Sequence, residues 1–188
     1  DEHKGVKVLA VFTHGPGIVY NTKRSIAKID DLSGLKFRIG GGMVNEISKS
    51  LGMNVTLKPA PESYELLSTG VMDGTLFPAE SIESFKIDKE IKHATLFPGG
   101  LYNVSFVFMM NQAKYDSMPA DVKKAIDEMS GDFAARMFGR GWDKVDRRGM
   151  AFMQAAGVHF TKADAAFGNA VKAKTAPLEG DCAQAAEA

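Results

Sequence analysis

The chain has 188 residues, enough to bury a sizeable core in one large domain or two small ones. Its composition, 45% hydrophobic and 24% charged, is ordinary for a globular protein. Lys plus Arg equals Asp plus Glu at 23 each, so no net field favours nucleic acid or an anionic membrane surface.

Few residues are suited to metal or thiol chemistry. Cys182 is the single cysteine, which excludes an intrachain disulfide and a multi-thiolate metal site. The four histidines (3, 14, 93 and 159) lack close metal-ligand spacing, and no GxGxxG or GKS/GKT motif is present. We therefore expect no metal and no cofactor.

Membrane insertion is not expected either. The longest apolar run, Val104–Met110, is strand-sized and far short of the roughly 20 residues that span a bilayer. The chain opens with the polar run Asp1–Lys4, which does not resemble a signal peptide. The termini therefore do not indicate a cellular location.

From Val6 to Pro98, short apolar runs alternate with amphipathic segments. Strand–helix units of this length are typical of α/β proteins with a parallel, doubly wound sheet. The predicted strands are Val6–Phe12, Leu35–Ile39, Val55–Leu57 and Val71–Phe77. Three helices are predicted in this part of the chain: one after Gly42 that reaches Leu51, one over Ser63–Ser68, and one after Pro78.

The pattern changes after Asn103. Val104–Met110 is β-branched and aromatic, which predicts a buried strand. Pro119 then opens a long helix with an apolar stripe, which four glycines should bend or weaken and Gly157 should end. Val158–Phe160 resumes an extended path, and Ala163–Lys174 is the last predicted helix.

Arg38 is the strongest candidate for a binding residue. It ends a predicted strand, three glycines follow it, and a helix begins directly after them. Ligands of open α/β sheets bind beyond the carboxyl ends of strands, where helix N-termini attract anions. An arginine there can hold a carboxylate by two parallel hydrogen bonds. The alternative is a surface arginine in an ion pair beside a flexible loop.

Phe77 and Glu80 form a second candidate segment, where another predicted strand passes into a helix. Their side chains could face the same crevice as Arg38, with Phe77 as an apolar wall and Glu80 as a charge or hydrogen-bond acceptor. Alternatively, Phe77 belongs to the core and Glu80 caps the first helical turn, and for Glu80 the sequence favours this reading.

The turn Thr13–Gly17 contains His14 and Gly15 and invites a catalytic hypothesis. No Ser, Cys or paired carboxylate stands in a recognisable arrangement with His14, and a lone histidine is more often structural. We therefore predict that the protein is not an enzyme.

Three segments, in order along the chain, resemble the DctP-like solute receptors of TRAP transporters. Asp31–Arg38 is similar to the family pattern "DLKGLKxR", and Tyr64–Gly74 is similar to "YxALQTGVVDG". Tyr115–Val122 is similar to "WxSLPxDLQ", which precedes the family's long helix. The resemblance covers the chain from Val6 to about Lys174 with colinear spacing.

The resemblance implies a fold and a function. The fold would be a periplasmic-binding-protein-like doubly wound α/β domain with a long bracing helix and part of a second domain. Residues 1–103 would form the second ligand-binding domain, 104–118 a hinge-crossing strand and linker, and 119–188 the long helix and a remnant of the first domain. The protein would be a periplasmic receptor that passes a small organic acid to the TRAP membrane permease subunits.

The resemblance also assigns residues to the site. Arg38 would take the position of the arginine that salt-bridges the ligand carboxylate, with Phe77 and Tyr102 shaping the pocket. Glu80, His14 and Gly15 complete the expected binding residues.

Two departures from the family modify this expectation. The chain is shorter than family members, as if most of the first domain were missing, so a lost N-terminal fragment or self-association would cover its packing surface. Phe77 stands where sialic-acid-binding members have an asparagine, and the turn at His14 lacks the second arginine of some members. Both features favour a less polar monocarboxylate with an aromatic or aliphatic body.

Two other function classes remain open at this point. An effector-binding domain of a transcription regulator shares this architecture but would need a basic DNA-binding element elsewhere. A small enzyme on the same scaffold would need a nucleophile or acid–base pair in the crevice. Neither explains the colinear motifs.

Overall fold

The computed structural model describes the backbone of residues 3–187 and the side chains of residues 3–178. The strands are β1 Val6–Thr13, β2 Ile18–Asn21, β3 Lys36–Ile39, β4 Asn54–Leu57, β5 Gly74–Phe77, β6 His93–Leu96, β7 Ser105–Asn111 and β8 His159–Lys162. The α-helices are α1 Met43–Ser50, α2 Ser63–Ser68, α3 Glu80–Ser84, α4 Gln112–Asp116, α5 Ala120–Glu128, α6 Asp132–Ala155 and α7 Ala165–Glu187. Short 3-10 turns occupy Ile29–Leu32 and Ala60–Glu62.

Six strands form the larger sheet, in the order β4-β3-β5-β2-β6-β8. Strand β3 runs parallel to β4 and β5, and β6 runs parallel to β8, as the α/β class requires. Strand β2 runs antiparallel to both of its neighbours, so the prediction of an all-parallel sheet is wrong at this strand. The α/β class itself is confirmed, with a mixed sheet.

The smaller sheet contains β1 and β7, paired antiparallel from Val6↔Asn111 to Thr13↔Ser105. Helix α6 covers part of it, where Phe138 stacks on Phe12 at 4.3 Å between ring centroids. Val11 and Phe108 remain 55% and 49% exposed. The prediction that Val104–Met110 is a buried strand is therefore wrong, because each strand of a two-stranded sheet has only one neighbouring strand to cover it.

The long helix predicted from Pro119 is two helices. Gly131 adopts a left-handed backbone conformation with φ of 60°, which separates α5 from α6. Its N–H donates to the carbonyl of Leu9 at 2.6 Å, tying the break to β1. The later glycines lie inside α6 without ending it, and Gly157 follows the helix with φ of 76°, as predicted. Helix α7 extends beyond its predicted end at Lys174.

Helix α6 positions the candidate site because it packs on β1 of the smaller sheet and on α3 beside the larger one. Strand β1, near the start of the chain, lies outside the larger sheet. Strand β8, near the end of the chain, belongs to that sheet, and the last helix, α7, packs against α1. The predicted division at residues 103 and 118 remains a prediction.

Candidate functional site

A cavity of about 400 Å³ lies between the two sheets. It is bordered by the ends of β3 and β5, the turn after β1, the segment that leads into β7, and helix α6. Five of the six predicted binding residues line it: His14, Arg38, Phe77, Glu80 and Tyr102. The cavity therefore gathers side chains that are widely separated in the sequence.

Arg38 is the buried cation of this cavity, with 3% of its surface exposed. Its Nε donates to the carbonyl of Lys58 at 2.8 Å, and its guanidinium carbon lies 4.5 Å from the ring centroid of Phe77. No carboxylate lies within 4 Å of it among the side chains of residues 3–178. Burial lowers the pKa of Arg38, and the electrostatic effects of Tyr102 and Glu62 oppose that shift.

A buried guanidinium without a carboxylate is costly unless an anion completes it, because desolvation disfavours the charged form. Only Nε of Arg38 has a hydrogen-bond partner among the described residues, so both terminal nitrogens remain available. Two parallel N–H donors match the two oxygens of a carboxylate. Arg38 is thus suited to bind a carboxylate inside the cavity.

Glycines after β3 bring backbone close to Arg38. Gly40 and Gly41 line the cavity, and Gly41 has φ of 92°. A Cβ at Gly41 would also lie 2.6 Å from the Cδ1 of Leu57, so a larger residue is disfavoured on both grounds. Gly42 precedes α1 without a side-chain cap, so this helix end also favours negative charge.

The near wall of the cavity is aromatic. Phe77 stacks on Phe85, with 5.3 Å between ring centroids and 25° between ring planes. Tyr102 is buried beside Gly17, where a Cβ would lie 2.8 Å from the Cγ of its ring. Burial raises the pKa of Tyr102, with an opposing effect of Arg38, so the phenol stays neutral at physiological pH.

The far wall contains His14, Phe106 and Trp142. The rings of Phe106 and Trp142 are nearly parallel, 5° apart, with centroids separated by 6.0 Å. His14 lies 5.5 Å from Tyr102 in an edge-on arrangement, and 6.0 Å from both Phe106 and Trp142. Phe106 and Trp142 were not predicted as site residues, because each also fits an apolar strand or helix stripe.

Glu80 lines the cavity, but its carboxylate is engaged within its own helix. One oxygen accepts the hydroxyl of Ser81 at 2.6 Å, and the other accepts the hydroxyl of Ser84 at 2.7 Å. The binding role of Glu80 remains a prediction.

Gly15 is not among the residues that line this cavity. It packs instead against helix α6, because a Cβ at this position would lie 2.7 Å from the Cγ of Asp146 and closer still to its Oδ2. The structure therefore places Gly15 next to the site, where it allows α6 to approach the turn.

Asp146 links the site to α6 and was not predicted. Its Oδ1 accepts the backbone N–H of Glu80 at 3.0 Å, which caps the start of α3. Its Oδ2 is buried without a partner among the described residues. Burial raises the pKa of Asp146, and the hydrogen bond from Glu80 opposes the shift.

This shift predicts a pH-dependent stability. Because the folded pKa of Asp146 is raised, the folded state binds more protons than the unfolded state above the ordinary pKa of about 4. The contribution of Asp146 to stability is present at low pH and is lost as the pH rises through its folded pKa. Replacing Asp146 by Asn should remove that loss, so D146N should gain stability relative to the unsubstituted protein as the pH rises above about 4, measured by urea unfolding.

The matched control is D143N, which changes an exposed aspartate on the same helix. Because the charge of Asp143 contributes least to the raised pKa of Asp146, D143N should change the pH dependence of stability far less than D146N. If D146N and D143N show the same pH dependence, the buried carboxylate does not shape the stability of this region.

Comparison with known proteins identifies a matching family and similar solved structures. The profile of a family described as bacterial extracellular solute-binding protein, family 7 (DctP) matches residues 1–184. A TRAP periplasmic solute binding protein from Bordetella bronchiseptica, solved with bound (R)-mandelate and (S)-mandelate, is 42% identical. The similarity covers 100% of this chain and 59% of that one, with a TM-score of 0.95.

A TRAP solute binding protein from a marine metagenome, specific for aromatic acid ligands, was solved with metahydroxyphenylacetate. It is 33% identical over 99% of this chain and 59% of its own, with a TM-score of 0.93. A protein named outer membrane transporter protein TsaT, from Comamonas testosteroni, is 29% identical over 92% of this chain.

The chain spans about half the length of the curated relatives it matches, 51% for TsaT. No helix in the described part of the chain is long and apolar enough to cross a membrane. Those residues also contain no group of three or more His, Cys, Asp or Glu side chains that could hold a metal ion.

Proposed function

The chain belongs to bacterial extracellular solute-binding protein family 7, the DctP family, and on this premise we propose that it is the ligand-capturing part of a receptor for an aromatic monocarboxylate. The receptor would act in the periplasm and release its ligand, chemically unchanged, to the membrane permease subunits of a TRAP-type secondary transporter. Members of this family are solute-binding receptors and not enzymes. The family assignment does not favour the alternative of a regulator's effector domain.

Arg38 carries this proposal. It combines 3% exposure, a cavity position and the absence of a carboxylate partner within the described residues. An ion pair formed there gains from the low dielectric of the cavity, since the desolvation of Arg38 was largely completed on folding. We infer that the two terminal nitrogens of Arg38 bind the carboxylate of the ligand.

The aromatic walls support an aromatic body for that ligand. Phe77 and Tyr102 lie on the Arg38 side of the cavity, and Phe106 and Trp142 lie opposite. Aromatic rings stack or meet edge-on at centroid distances of about 4.5–7 Å. The two solved neighbours bind mandelate and metahydroxyphenylacetate, which are both aromatic acids.

The walls also argue against a sugar acid. Phe77 offers no hydrogen bond where a ring of hydroxyl groups would need several, and an unpaired buried hydroxyl is costly. Dicarboxylates would need a second cation, and Arg38 is the arginine that lines this cavity. A single carboxylate on an apolar ring fits the described residues best.

The binding mechanism would couple ion pairing to closure. The carboxylate would meet Arg38 first, and movement of the smaller sheet with α6 towards the larger sheet would then exclude water. Helix α6 is placed for this role because it packs on β1 of the smaller sheet and on α3 beside the larger one. The covering of exposed side chains such as Val11 and Phe108 by a second copy or an N-terminal segment remains a prediction.

Calorimetric titration of the natural, full-length protein with a matched pair of compounds tests this proposal. Benzoate and benzamide have nearly the same shape but differ in charge. We expect benzoate to bind at least about a hundredfold more tightly than benzamide, since a charged hydrogen-bonded pair contributes several kcal/mol. Succinate should also bind weakly, because its second carboxylate would need a second cation and Arg38 is the arginine among the described lining residues. Equal affinities for benzoate and benzamide would contradict a carboxylate site.

A further inference from the structure

His14 is the polar side chain of the far wall and has 7% of its surface exposed. Its backbone is fixed on both sides: its N–H donates to the carbonyl of Val104 at 3.3 Å, and its carbonyl accepts the side-chain amide of Asn103 at 2.6 Å. Its ring is surrounded by Tyr102, Phe106 and Trp142. The imidazole is therefore held in one orientation by its neighbours.

A hydrogen bond fixes the tautomer of this ring. Nδ1 of His14 lies 2.5 Å from the carbonyl oxygen of Gly15. A carbonyl can only accept, so Nδ1 must carry the proton and donate it. In the neutral imidazole, Nε2 is then an acceptor.

Nε2 of His14 has no hydrogen-bond partner among the described residues. It is also absent from the buried polar atoms that lack both a partner and solvent contact in that part of the chain. An unpartnered acceptor that keeps access to the cavity can serve a ligand.

Other polar groups at the cavity cannot replace this acceptor as readily. The indole N–H of Trp142 can only donate. Each oxygen of Glu80 already accepts one hydroxyl, from Ser81 or Ser84, so this carboxylate is held along α3. A ligand hydroxyl group at the far wall would therefore find its acceptor in His14.

From this arrangement we infer that Nε2 of His14 accepts a hydrogen bond from a hydroxyl group of the ligand, so that the site prefers hydroxylated aromatic monocarboxylates to their unsubstituted parents. This inference rests on the proposed function, because it takes the carboxylate of the ligand to be bound by Arg38. Tyr102 lies near both contacts: the centroid of its ring is 5.5 Å from that of His14, and its hydroxyl interacts electrostatically with Arg38. The hydroxyl would therefore lie on the ligand's ring or on the carbon next to it.

The test compares pairs that differ by one hydroxyl group, in the natural, full-length protein by calorimetry. The pairs are 3-hydroxybenzoate with benzoate, and mandelate with phenylacetate. At least one hydroxylated member should bind about five- to tenfold more tightly than its parent. In H14F, which keeps an aromatic ring against Tyr102 but has no acceptor, that preference should fall below about twofold, whatever the affinity of H14F for the parent acid.

H14Q serves as the second variant, because its amide oxygen restores an acceptor and should restore part of the preference. The matched control is H159F, which changes an exposed histidine on β8 and should leave the preference intact. Equal affinity within both pairs in the unsubstituted protein, or an unchanged preference in H14F, would overturn the role of His14 and leave the proposed function standing. Failure of all four acids to bind would instead overturn the proposed function and this inference with it.

Discussion

Replacement of Arg38 by alanine is expected to abolish measurable binding of aromatic acids in the natural, full-length protein. The ligand carboxylate would enter a largely apolar cavity with no cation to meet it. Truncating one partner of a buried, hydrogen-bonded charge pair costs about 2–5 kcal/mol, which corresponds to an affinity loss of roughly 30-fold to several thousandfold. Isothermal titration calorimetry with benzoate measures this loss directly.

Two further variants complete this test: one separates the charge of Arg38 from its hydrogen-bond geometry, and the other is a control. R38K keeps the positive charge but cannot form two parallel hydrogen bonds, so its affinity for benzoate should fall between those of R38A and the unsubstituted protein. R140A removes an exposed arginine from α6 and should bind normally. Unchanged affinity in R38A would remove Arg38 from the binding site.

Substitution of Gly149 by alanine is expected to destabilise the protein strongly. Gly149 is buried in α6, where a Cβ would lie 2.6 Å from the carbonyl carbon of Ala79 and 2.9 Å from the nitrogen of Glu80. Both atoms belong to backbone, so the helices would have to separate, at a cost of about 1–3 kcal/mol. Because α3 begins at Glu80 beside Phe77, the displacement should also weaken ligand binding.

Gly139 provides a control in the same helix. A Cβ there would meet nothing within 4 Å outside its own helix, so G139A should stabilise the protein by about 0.5–1 kcal/mol through the better helix propensity of alanine. Chemical unfolding of both variants compares the two effects. A similar stability for G149A and G139A would show that α6 does not pack against α3 as closely as the structure places it.

The elements with strong local signals were predictable. Helix α2 is Ser63–Ser68, as its pattern indicates, and β1, β3 and β4 agree with their predictions within one residue at each end. Strands β2 and β6, of four residues each, were not predicted. Strand β2 also reverses direction, which depends on its pairing with β5 and β6 and not on local sequence.

Arg38 could be selected from the sequence because its position has a local signature: a strand end, three glycines and a helix start. Its burial without an ion-pair partner could not be predicted, since that depends on which carboxylates the fold brings near. The binding role of each selected residue remains a prediction that the experiments above address.

The sequence did not predict three residues of the site, for a common reason: Phe106, Trp142 and Asp146. Their contribution arises where α6 and β7 meet the larger sheet, and the hydrogen bond from Glu80 to Asp146 joins residues 66 positions apart. In the sequence, Trp142 is simply one apolar position on a helix stripe, and Asp146 is one charge in a mixed helix face. The packing of α6 on β1 and α3 brings Trp142 and Asp146 to the site.

A crystal structure of the natural, full-length protein with bound phenylacetate tests the central claim most directly. We predict that both carboxylate oxygens lie about 2.7–2.9 Å from the terminal nitrogens of Arg38, with the ligand ring between Phe77 and Trp142. A carboxylate bound elsewhere, with the guanidinium of Arg38 unengaged, would contradict the assignment of this cavity as the carboxylate site.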